Sequence, residues 1–396
     1  MPLASEPWSK KHKAVTRHGG LPYNLSNSYA NPLTHRELVE LTKARGDHKL
    51  LEAYNDHSLE YTANGGSLDL REAIAELYGS KIGPDNVLVF TGAQVALQTA
   101  ALAMVTPGSH TIVFTPCYQS VQEAPVHAVA ANAGSEITKI TLMASEGWQI
   151  DPHAVERAIR PNTKYMVIND PFNPAGTLSS HALQRQVVDI AEKHGIYLLS
   201  DEVYRLLEHD PKDRLPAMCD LYRRGLSAVT MSKPWGACGI TIGWLAFQDM
   251  TIRQRLVDVQ YFGTACPSRA SEIQAMMVLR ASDHILAKNM KIIRHNKALL
   301  EAFMHRYSDL FEWVRPKAGA IAFLKFKGPL TSTQLGDVLA KAGISIKPAY
   351  VFTDLVTPAN DYFRVGFGEE KMPTALAALS AFVDQHKAAW SRKSRL

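Results

Sequence analysis

The chain has 396 residues, of which 46% are hydrophobic and 20% are charged, and its formal net charge is +5. This composition excludes a disordered chain, and the mild positive charge suits an anionic cofactor or substrate without being a signature of nucleic-acid binding. No apolar run is long enough to cross a membrane, the polar start lacks the apolar core of a secretory signal, and four scattered cysteines predict reduced thiols rather than a metal site. We therefore expect a cytoplasmic protein that binds neither a membrane nor nucleic acid.

The beginning of the chain predicts an arm that precedes the folded body. Residues 1–35 are polar and basic, and such arms often cross to a partner subunit, with a frayed terminus as the alternative. Thr34 and Glu37 have the spacing of a capping box, which predicts that a helix begins there. A second helix is predicted at residues 68–74, where apolar residues recur at helical spacing.

A strand–helix corner follows. The predicted strand at residues 87–90 turns through Gly92 and Ala93 into a predicted helix at residues 95–104. Such a corner places free backbone N–H groups and the positive end of the helix dipole at one point, which is typical of a phosphate site. An ordinary corner without a ligand is the alternative.

The middle of the chain alternates strands with helices. Polar or aromatic residues follow each predicted strand, among them Tyr118, Asn173 and Asp201. This order predicts an α/β fold whose sheet is largely parallel, with its site at the carboxyl ends of the strands. The strands are predicted at residues 111–114, 164–168 and 196–200, and the intervening helix at residues 182–194.

Lys233 lies in a short loop between two apolar, branched segments that we interpret as buried strands. Burial would lower the pKa of its amine, and a neutral amine can attack a carbonyl, as a Schiff-base lysine does. A surface lysine beside the glycines of residues 236–239 is the alternative.

The C-terminal part predicts a smaller α+β domain. We expect an arm at residues 1–35, a large domain at residues 36–275, and a linking helix with a small domain at residues 276–396. The predicted elements are a helical region at residues 267–307, strands at 320–326, 344–347 and 362–367, and helices at 332–341 and 373–390.

Four motifs in this order resemble a known family. They are Asn173-Pro174-x-Gly176, Asp201-x-x-Tyr204, Ser232-Lys233 and Arg364. The sequence from Tyr61 to the C-terminus resembles the pyridoxal-phosphate (PLP) enzymes of fold type I, the class I/II aminotransferases. The resemblance implies an α/β fold, with a large domain whose mostly parallel sheet lies between helices and a smaller α+β C-terminal domain. It also implies a homodimer with PLP as its cofactor.

The resemblance implies roles for the residues around the cofactor ring. Lys233 would form the Schiff base with PLP and later move the Cα proton. Asp201 would pair with the ring nitrogen and keep it protonated. Asn173 and Tyr204 would bind the phenolic oxygen, and Tyr118 would stack on the ring. The alternatives are a helix cap for Asp201 and core positions for the tyrosines.

The resemblance also implies contacts to the phosphate. Ala93 and Gln94 would present donors to it, and Thr230 and Ser232 would add hydroxyls. Tyr61 matches a tyrosine that reaches the phosphate of the partner subunit.

The resemblance places Arg364 and Asn173 at the substrate, with the guanidinium gripping the α-carboxylate, although a surface arginine is the alternative. The segment that would lie over the substrate, residues 25–31, departs from the family because it is polar and aromatic. Asn27 and Tyr29 in this segment suggest a substrate with a polar side chain.

A second departure concerns the phosphate clamp. Where the family has an arginine eight residues after the lysine, this chain has Thr241. Losing that charge should weaken phosphate binding unless another cation replaces it, and Arg269 and Lys347 are the candidates.

Residues 235–244 and 261–267 look most like a specialised branch of the family, which includes arginine oxidases and the cyclases that form capreomycidine and enduracididine. We therefore expect a PLP enzyme that transforms a free α-amino acid through an external aldimine and a quinonoid, with elimination, replacement, cyclisation or oxidation as the outcome. A second small-molecule substrate is left open. An ordinary aminotransferase is the alternative, and a non-catalytic regulator with a PLP fold is a more remote one.

Overall fold

The computed structural model describes residues 20–353 and 361–393, so residues 1–19 of the predicted arm lie outside the described part. Helices and strands alternate along the chain. The helices are α1 (His35–Ala44), α2 (His48–Asp56), α3 (Leu68–Ala75), α4 (Ala93–Met104), α5 (Gln119–Ala131), α6 (Pro152–Ala158), α7 (His181–His194), α8 (Met218–Leu221), α9 (Arg253–Thr264), α10 (Arg269–Arg280), α11 (Ser282–Arg306), α12 (Ser332–Lys341) and α13 (Met372–Lys393). The strands are β1 (Tyr23–Asn24), β2 (Val87–Phe90), β3 (His110–Thr115), β4 (Glu136–Thr141), β5 (Thr163–Asn169), β6 (Tyr197–Asp201), β7 (Gly225–Thr230), β8 (Gly243–Phe247), β9 (Phe311–Trp313), β10 (Ile321–Phe326), β11 (Ile344–Ser345), β12 (Lys347–Pro348) and β13 (Tyr362–Gly366).

The large sheet has seven strands in the order β2-β8-β7-β6-β5-β3-β4. Strand β8 runs antiparallel to β2 and β7, and the other neighbouring pairs are parallel. The prediction of a largely parallel sheet is therefore confirmed. Because β2, β5, β6 and β7 point the same way, the residues that follow them meet at one edge of the sheet, where ligands of such sheets bind.

Local sequence explains where these elements start and stop. The capping box predicted at Thr34 is present, with Glu37 bonded back to the Thr34 backbone N–H. Helix α7 starts at Ser180, whose hydroxyl accepts a hydrogen bond from the backbone N–H of Leu183. It ends at Gly195, which adopts a left-handed φ of 64° that a glycine tolerates without strain.

A second, four-stranded antiparallel sheet has the order β12-β13-β10-β9. The start of the described chain joins this part of the molecule, because β1 pairs in parallel with β11 and the N–H of Gly366 donates to the carbonyl of Leu25 at 2.7 Å. A smaller C-terminal α+β unit is thus present, as the sequence predicts. The predicted boundaries at residues 35 and 275 stay predictions.

Two elements of the structure differ in detail from the elements predicted by the sequence. The helical region predicted at residues 267–307 is divided into α10 and α11 at Ala281, whose N–H is shared between the carbonyls of Met277 and Val278. The strand predicted at residues 344–347 is two short strands in different sheets, because β11 pairs with β1 and β12 pairs with β13. Within residues 20–353 and 361–393, no helix combines the length and apolar character needed to cross a membrane.

Candidate active site

Lys233 lies in the loop between the buried strands β7 and β8, as the sequence predicts. Its backbone carbonyl accepts a hydrogen bond from Ala30, and its Nζ lies 3.2 Å from the hydroxyl of Ser28. Gly236 adopts a φ of 64°, and a Cβ there would collide with the carbonyl of Asn31, so the loop and the N-terminal segment can pack closely only with glycine at this position. Burial lowers the pKa of Lys233 to about 8, which brings its amine within reach of the neutral, nucleophilic form.

Asp201 ends β6, the strand next to β7, and is buried. Its carboxylate accepts one hydrogen bond, from the backbone N–H of Val203 at 3.3 Å. Burial raises the pKa of Asp201 to about 7, and the nearby Lys233 opposes that rise. A buried carboxyl with so few partners is suited to a cationic ligand group.

Arg364 on β13 reaches from the small sheet into the same site. Its Nη1 donates to the side-chain oxygen of Asn173 at 2.9 Å and its Nη2 donates to the carbonyl of Ser26 at 3.0 Å. These contacts hold the buried guanidinium in one orientation, while its Nε has no hydrogen-bond partner in the described part of the chain.

The Asn-Pro-x-Gly motif explains how Asn173 is placed. Its backbone N–H donates to Asn169 at the end of β5, and Gly176 has a φ of 67°. A Cβ on Gly176 would lie 2.5 Å from the carbonyl of Ile321 and 2.8 Å from that of Ala318. Only glycine therefore lets this loop pass against β10 and set Asn173 beside Arg364.

Tyr204 and Tyr118 complete the wall around Asp201. Burial raises the pKa of Tyr204 to about 12, and its hydroxyl is unpartnered among the described residues. The side chain of Ser28 lies near the Tyr204 hydroxyl and partly opposes the rise of this pKa. The two groups do not form a hydrogen bond of normal geometry. The Tyr118 hydroxyl accepts a hydrogen bond from the Gln94 amide at 3.0 Å.

The predicted phosphate site lies at the corner between β2 and α4. Gly92 precedes the helix with a φ of 92°, and Ala93 and Gln94 form its first turn. The hydroxyls of Thr230 and Ser232 lie 3.2 Å apart at the start of the lysine loop. The corner offers backbone N–H groups and the positive end of the helix dipole.

Thr241 lies beside this corner, because its methyl group would be 3.8 Å from a Cβ atom on Gly92. The position that carries an arginine in the family is therefore next to the predicted phosphate site, but it is uncharged in this chain. The replacement of the arginine by Arg269 or Lys347 stays a prediction, and both side chains have other neighbours. Arg269 is already paired with Asp69 at 2.9 Å and with Glu272 at 3.3 Å. Lys347 belongs to the small sheet and lies next to Arg364.

The N-terminal segment covers the lysine. The centroid of the Tyr29 ring is 5.9 Å from the Lys233 Nζ, and the Asn27 amide donates to the carboxylate of Glu369 at 2.7 Å. Burial and the Glu369 charge raise the pKa of Tyr29 to about 12. Sequence reasoning did not single out Ser28 or Glu369 as site residues, although Ser28 lies inside the segment predicted to cover the substrate.

Tyr61 is not part of this cluster, because 92% of its side chain is exposed. The other predicted residues come together around a space bounded by a buried amine, a buried carboxyl, two tyrosines and a helix N-terminus. These groups fit a flat ring that carries a carbonyl, a basic nitrogen and a phosphate. The unpartnered Tyr204 hydroxyl and Arg364 Nε are polar atoms that such a ring and its substrate would satisfy.

The chain is similar to known proteins over most of its length. Residues 26–379 match the family model described as aminotransferase class I and II. A probable aspartate/prephenate aminotransferase of Thermus aquaticus is 27% identical over 328 residues, which cover 80% of this chain and 82% of that protein. A kynurenine–oxoglutarate transaminase 1 of Rattus norvegicus is 29% identical over 242 residues, which cover 57% of this chain and 56% of that protein.

Solved structures share the fold. A PLP-dependent aminotransferase from Streptococcus suis 89-1591 has a TM-score of 0.86 at 24% identity, covering 97% of this chain and 99% of that chain. An aspartate aminotransferase double mutant of Thermus thermophilus has a TM-score of 0.80 at 22% identity, covering 96% and 97% respectively. The family match covers most of the chain and agrees with the fold, so this protein belongs to the aminotransferase class I and II family and is a PLP-dependent enzyme.

Proposed function

We propose that this enzyme is an aminotransferase that moves an amino group between a free α-amino acid and a 2-oxo acid. The observation that carries the proposal is the placement of a buried carboxyl with a single long hydrogen bond at the end of β6 beside a buried lysine after β7, with the Arg364 guanidinium close enough to act on the lysine. The relatives described above are named as aminotransferases or transaminases. They favour this ordinary reaction, which the sequence offered as the alternative, over the specialised elimination, cyclisation or oxidation.

The residues around Lys233 divide the chemistry between them. Bound PLP supplies an electron-withdrawing ring that makes the Cα proton of the substrate acidic. Lys233 would hold the cofactor, and its amine would take the Cα proton and return it, for which a pKa of about 8 is well matched. Asp201 would supply a negative charge to the ring nitrogen from a buried position, where its electrostatic effect is large.

The remaining contacts orient the reactants. Arg364 binds the α-carboxylate with a fork already oriented by Asn173 and the Ser26 carbonyl. Asn173 and Tyr204 would bind the phenolic oxygen, and Tyr118 would pack against the ring. Ala93, Gln94, Thr230 and Ser232 would hold the phosphate, with Thr241 in place of a clamping arginine.

We also propose that the enzyme works as a homodimer. Tyr61 is too exposed to serve the site of its own chain, and an exposed tyrosine can reach the phosphate site of a partner. The two sites would then each depend on the other subunit.

The test uses purified protein saturated with PLP. Single L-amino acids are mixed with single 2-oxo acids, and both products are followed by chromatography. We expect exchange of the amino group in at least one pair, and a Lys233→Ala variant without exchange. Borohydride reduction of the wild type should leave a pyridoxyl group on Lys233. Cyclised, oxidised or eliminated products without a new amino acid from the 2-oxo acid would contradict the proposal.

A further inference from the structure

Two side chains of the N-terminal segment reach the amine of Lys233. The Ser28 hydroxyl lies 3.2 Å from Nζ, and the centroid of the Tyr29 ring lies 5.9 Å from it. Within residues 20–353 and 361–393, Ser28 is the one hydrogen-bond partner of this amine, which forms no ion pair there. The free amine of the lysine is therefore oriented by a serine that lies 205 positions away in the chain.

The backbone on both sides of Ser28 is fixed. The N–H of Ala30 donates to the carbonyl of Lys233 at 3.1 Å, so the serine segment and the lysine loop are joined through their main chains as well. Before Ser28, the chain packs so closely on the small sheet that a Cβ on Gly366 would collide with the carbonyl of Asn27. These contacts set the distance between the serine hydroxyl and the lysine amine.

The hydroxyl of Ser28 has the right chemistry for this position. A serine oxygen has two lone pairs and one proton, so it can accept a hydrogen bond from the Lys233 amine while its own proton points toward Tyr204. A neutral amine that donates one N–H to Ser28 keeps its lone pair free. The lone pair is the part of the amine that attacks a carbonyl or takes a proton.

We propose that Ser28 is a positioning residue, whose hydroxyl accepts a hydrogen bond from the Lys233 amine and fixes the direction in which the amine reacts. The inference rests on the proposed function, because it takes Lys233 as the residue that reacts with PLP. A lysine amine sits on a flexible four-carbon stem, and holding it in a reactive geometry removes part of the barrier to its reaction.

Attachment of PLP to the cofactor-free protein tests the proposal without any amino acid. The rate at saturating PLP is followed by stopped-flow absorbance from pH 6 to 10, for the wild type and for Ser28→Ala. We expect the limiting rate at high pH to fall by about 5- to 10-fold in Ser28→Ala, the value of one hydrogen bond. The pH at which the rate levels off should also move down by about 0.5 to 1 pH unit, because the Ser28 oxygen stabilises the charged amine more than the neutral one.

The direction of this move separates a positioning role from a structural one. If the substitution opened the segment, water would reach Lys233 and the levelling-off would move up, toward the behaviour of an ordinary lysine. The titratable and charged groups that face the Lys233 amine stay the same in the variant, and they are Tyr29, Asp201, Tyr204, Cys238, Lys347 and Arg364.

Two further variants make the result specific to the hydroxyl. Ser28→Thr keeps a hydroxyl at this position and should retain the limiting rate within about threefold. Asn31→Ala removes an amide from the same segment, where its oxygen accepts a hydrogen bond from the N–H of Glu370 at 3.1 Å, and it should change neither the limiting rate nor the levelling-off.

An unchanged limiting rate in Ser28→Ala, or a levelling-off that moves upward, would overturn the proposal. Equal losses in Asn31→Ala and Ser28→Ala would overturn it too, since the segment as a whole would then be responsible. A Ser28→Thr variant as slow as Ser28→Ala would show that the hydroxyl is not the active group. The proposed function fails separately, because attachment of PLP involves no transfer of an amino group between substrates.

Discussion

Two neighbouring acids at the end of β6 have different surroundings. The Glu202 carboxylate accepts hydrogen bonds from the N–H of Met218 at 2.7 Å and from the hydroxyl of Ser227 at 3.0 Å. Asp201 accepts one longer bond from Val203. Burial raises the pKa of both carboxyls to about 7. One oxygen of Glu202 is thus held by two short hydrogen bonds, while its other oxygen has no partner among the described residues. Asp201 is held by a single longer bond, which leaves its carboxylate more available to a ligand.

This difference predicts unequal effects of removing each charge. Asp201→Asn keeps the size of the side chain and should lower the rate of amino transfer by about 100-fold or more, because a buried charge contact is worth about 3 kcal/mol. Glu202→Gln is the matched control, and its rate should stay within about threefold of the wild type. Steady-state rates with one amino acid and one 2-oxo acid decide the matter. A greater loss in Glu202→Gln than in Asp201→Asn would contradict the assignment.

The lowered pKa of Lys233 has a kinetic consequence. Only the neutral amine attacks the aldehyde of PLP, so attachment to the cofactor-free enzyme should accelerate about tenfold per pH unit below pH 8 and level off above it. An ordinary lysine would keep accelerating toward pH 10.5, the usual lysine value. Stopped-flow absorbance from pH 6 to 10 measures this, with Nα-acetyl-lysine as the free-amine control. A plateau only above pH 10 would show that the Lys233 amine behaves like a solvated one.

At the scale of elements, the start of β8 packs closely against the turn between β2 and α4. A Cβ on Gly243 would lie 2.5 Å from the backbone nitrogen of Ala93 and 2.7 Å from the carbonyl carbon of Gly92. Gly239 lies in the loop that precedes β8 and has open space around it. The close packing of the two elements therefore depends on Gly243 and not on loop glycines in general.

We expect Gly243→Ala to lower the free energy of unfolding by about 1–3 kcal/mol, the usual cost of overpacking. It should also weaken PLP binding more than tenfold, because the helix N-terminus that receives the phosphate is displaced. Gly239→Ala should change neither quantity appreciably. Chemical denaturation and titration of the cofactor-free protein with PLP give the two values. Equal effects of the two alanines would contradict the packing argument.

Elements with a strong local signal were predictable from the sequence. The cap at Thr34 and the buried strand Val87–Phe90 have such signals, and both agree with the structure. The edge strand β4 has no fully buried residue and Pro125 lies inside α5, so neither segment has the pattern of a buried strand or a regular helix. The same limit applies within the site, since the approach of Ser28 to Lys233 depends on tertiary packing across 205 residues.

At the scale of the whole molecule, exposed apolar side chains are concentrated in two segments. Leu59, Tyr61 and Phe262 are 95%, 92% and 88% exposed, and Tyr261 packs edge-on against Phe262. The hydroxyl of Thr62 donates to the carbonyl of Pro267 at 2.7 Å, which ties the loop of Tyr61 to the chain that follows α9. Such a concentration of exposed aromatic surface is typical of an interface with another protein.

If this surface joins two copies of the chain, a charge placed in it should separate them. Phe262→Glu loses the burial of a phenyl ring, worth about 2–3 kcal/mol, and adds an unpaired carboxylate, so we expect a monomer in sedimentation velocity runs at micromolar concentration. Met250→Glu is the control, because Met250 is also exposed but lies just before the start of α9, whereas Phe262 lies in the last turn of that helix. It should remain a dimer.

The role of the Tyr61 hydroxyl can be tested separately from the role of the exposed aromatic surface. Tyr61→Phe keeps the ring and removes the hydroxyl, so it should stay dimeric and bind PLP about 5- to 10-fold more weakly, the value of one hydrogen bond. Phe262→Glu should bind PLP at least as weakly as Tyr61→Phe, because each phosphate then lacks the tyrosine of the other subunit. A wild-type enzyme that is monomeric and still saturated with PLP would refute both the interface and the shared site. A dimeric Phe262→Glu variant would refute the interface alone, because the tyrosine could then cross at another surface.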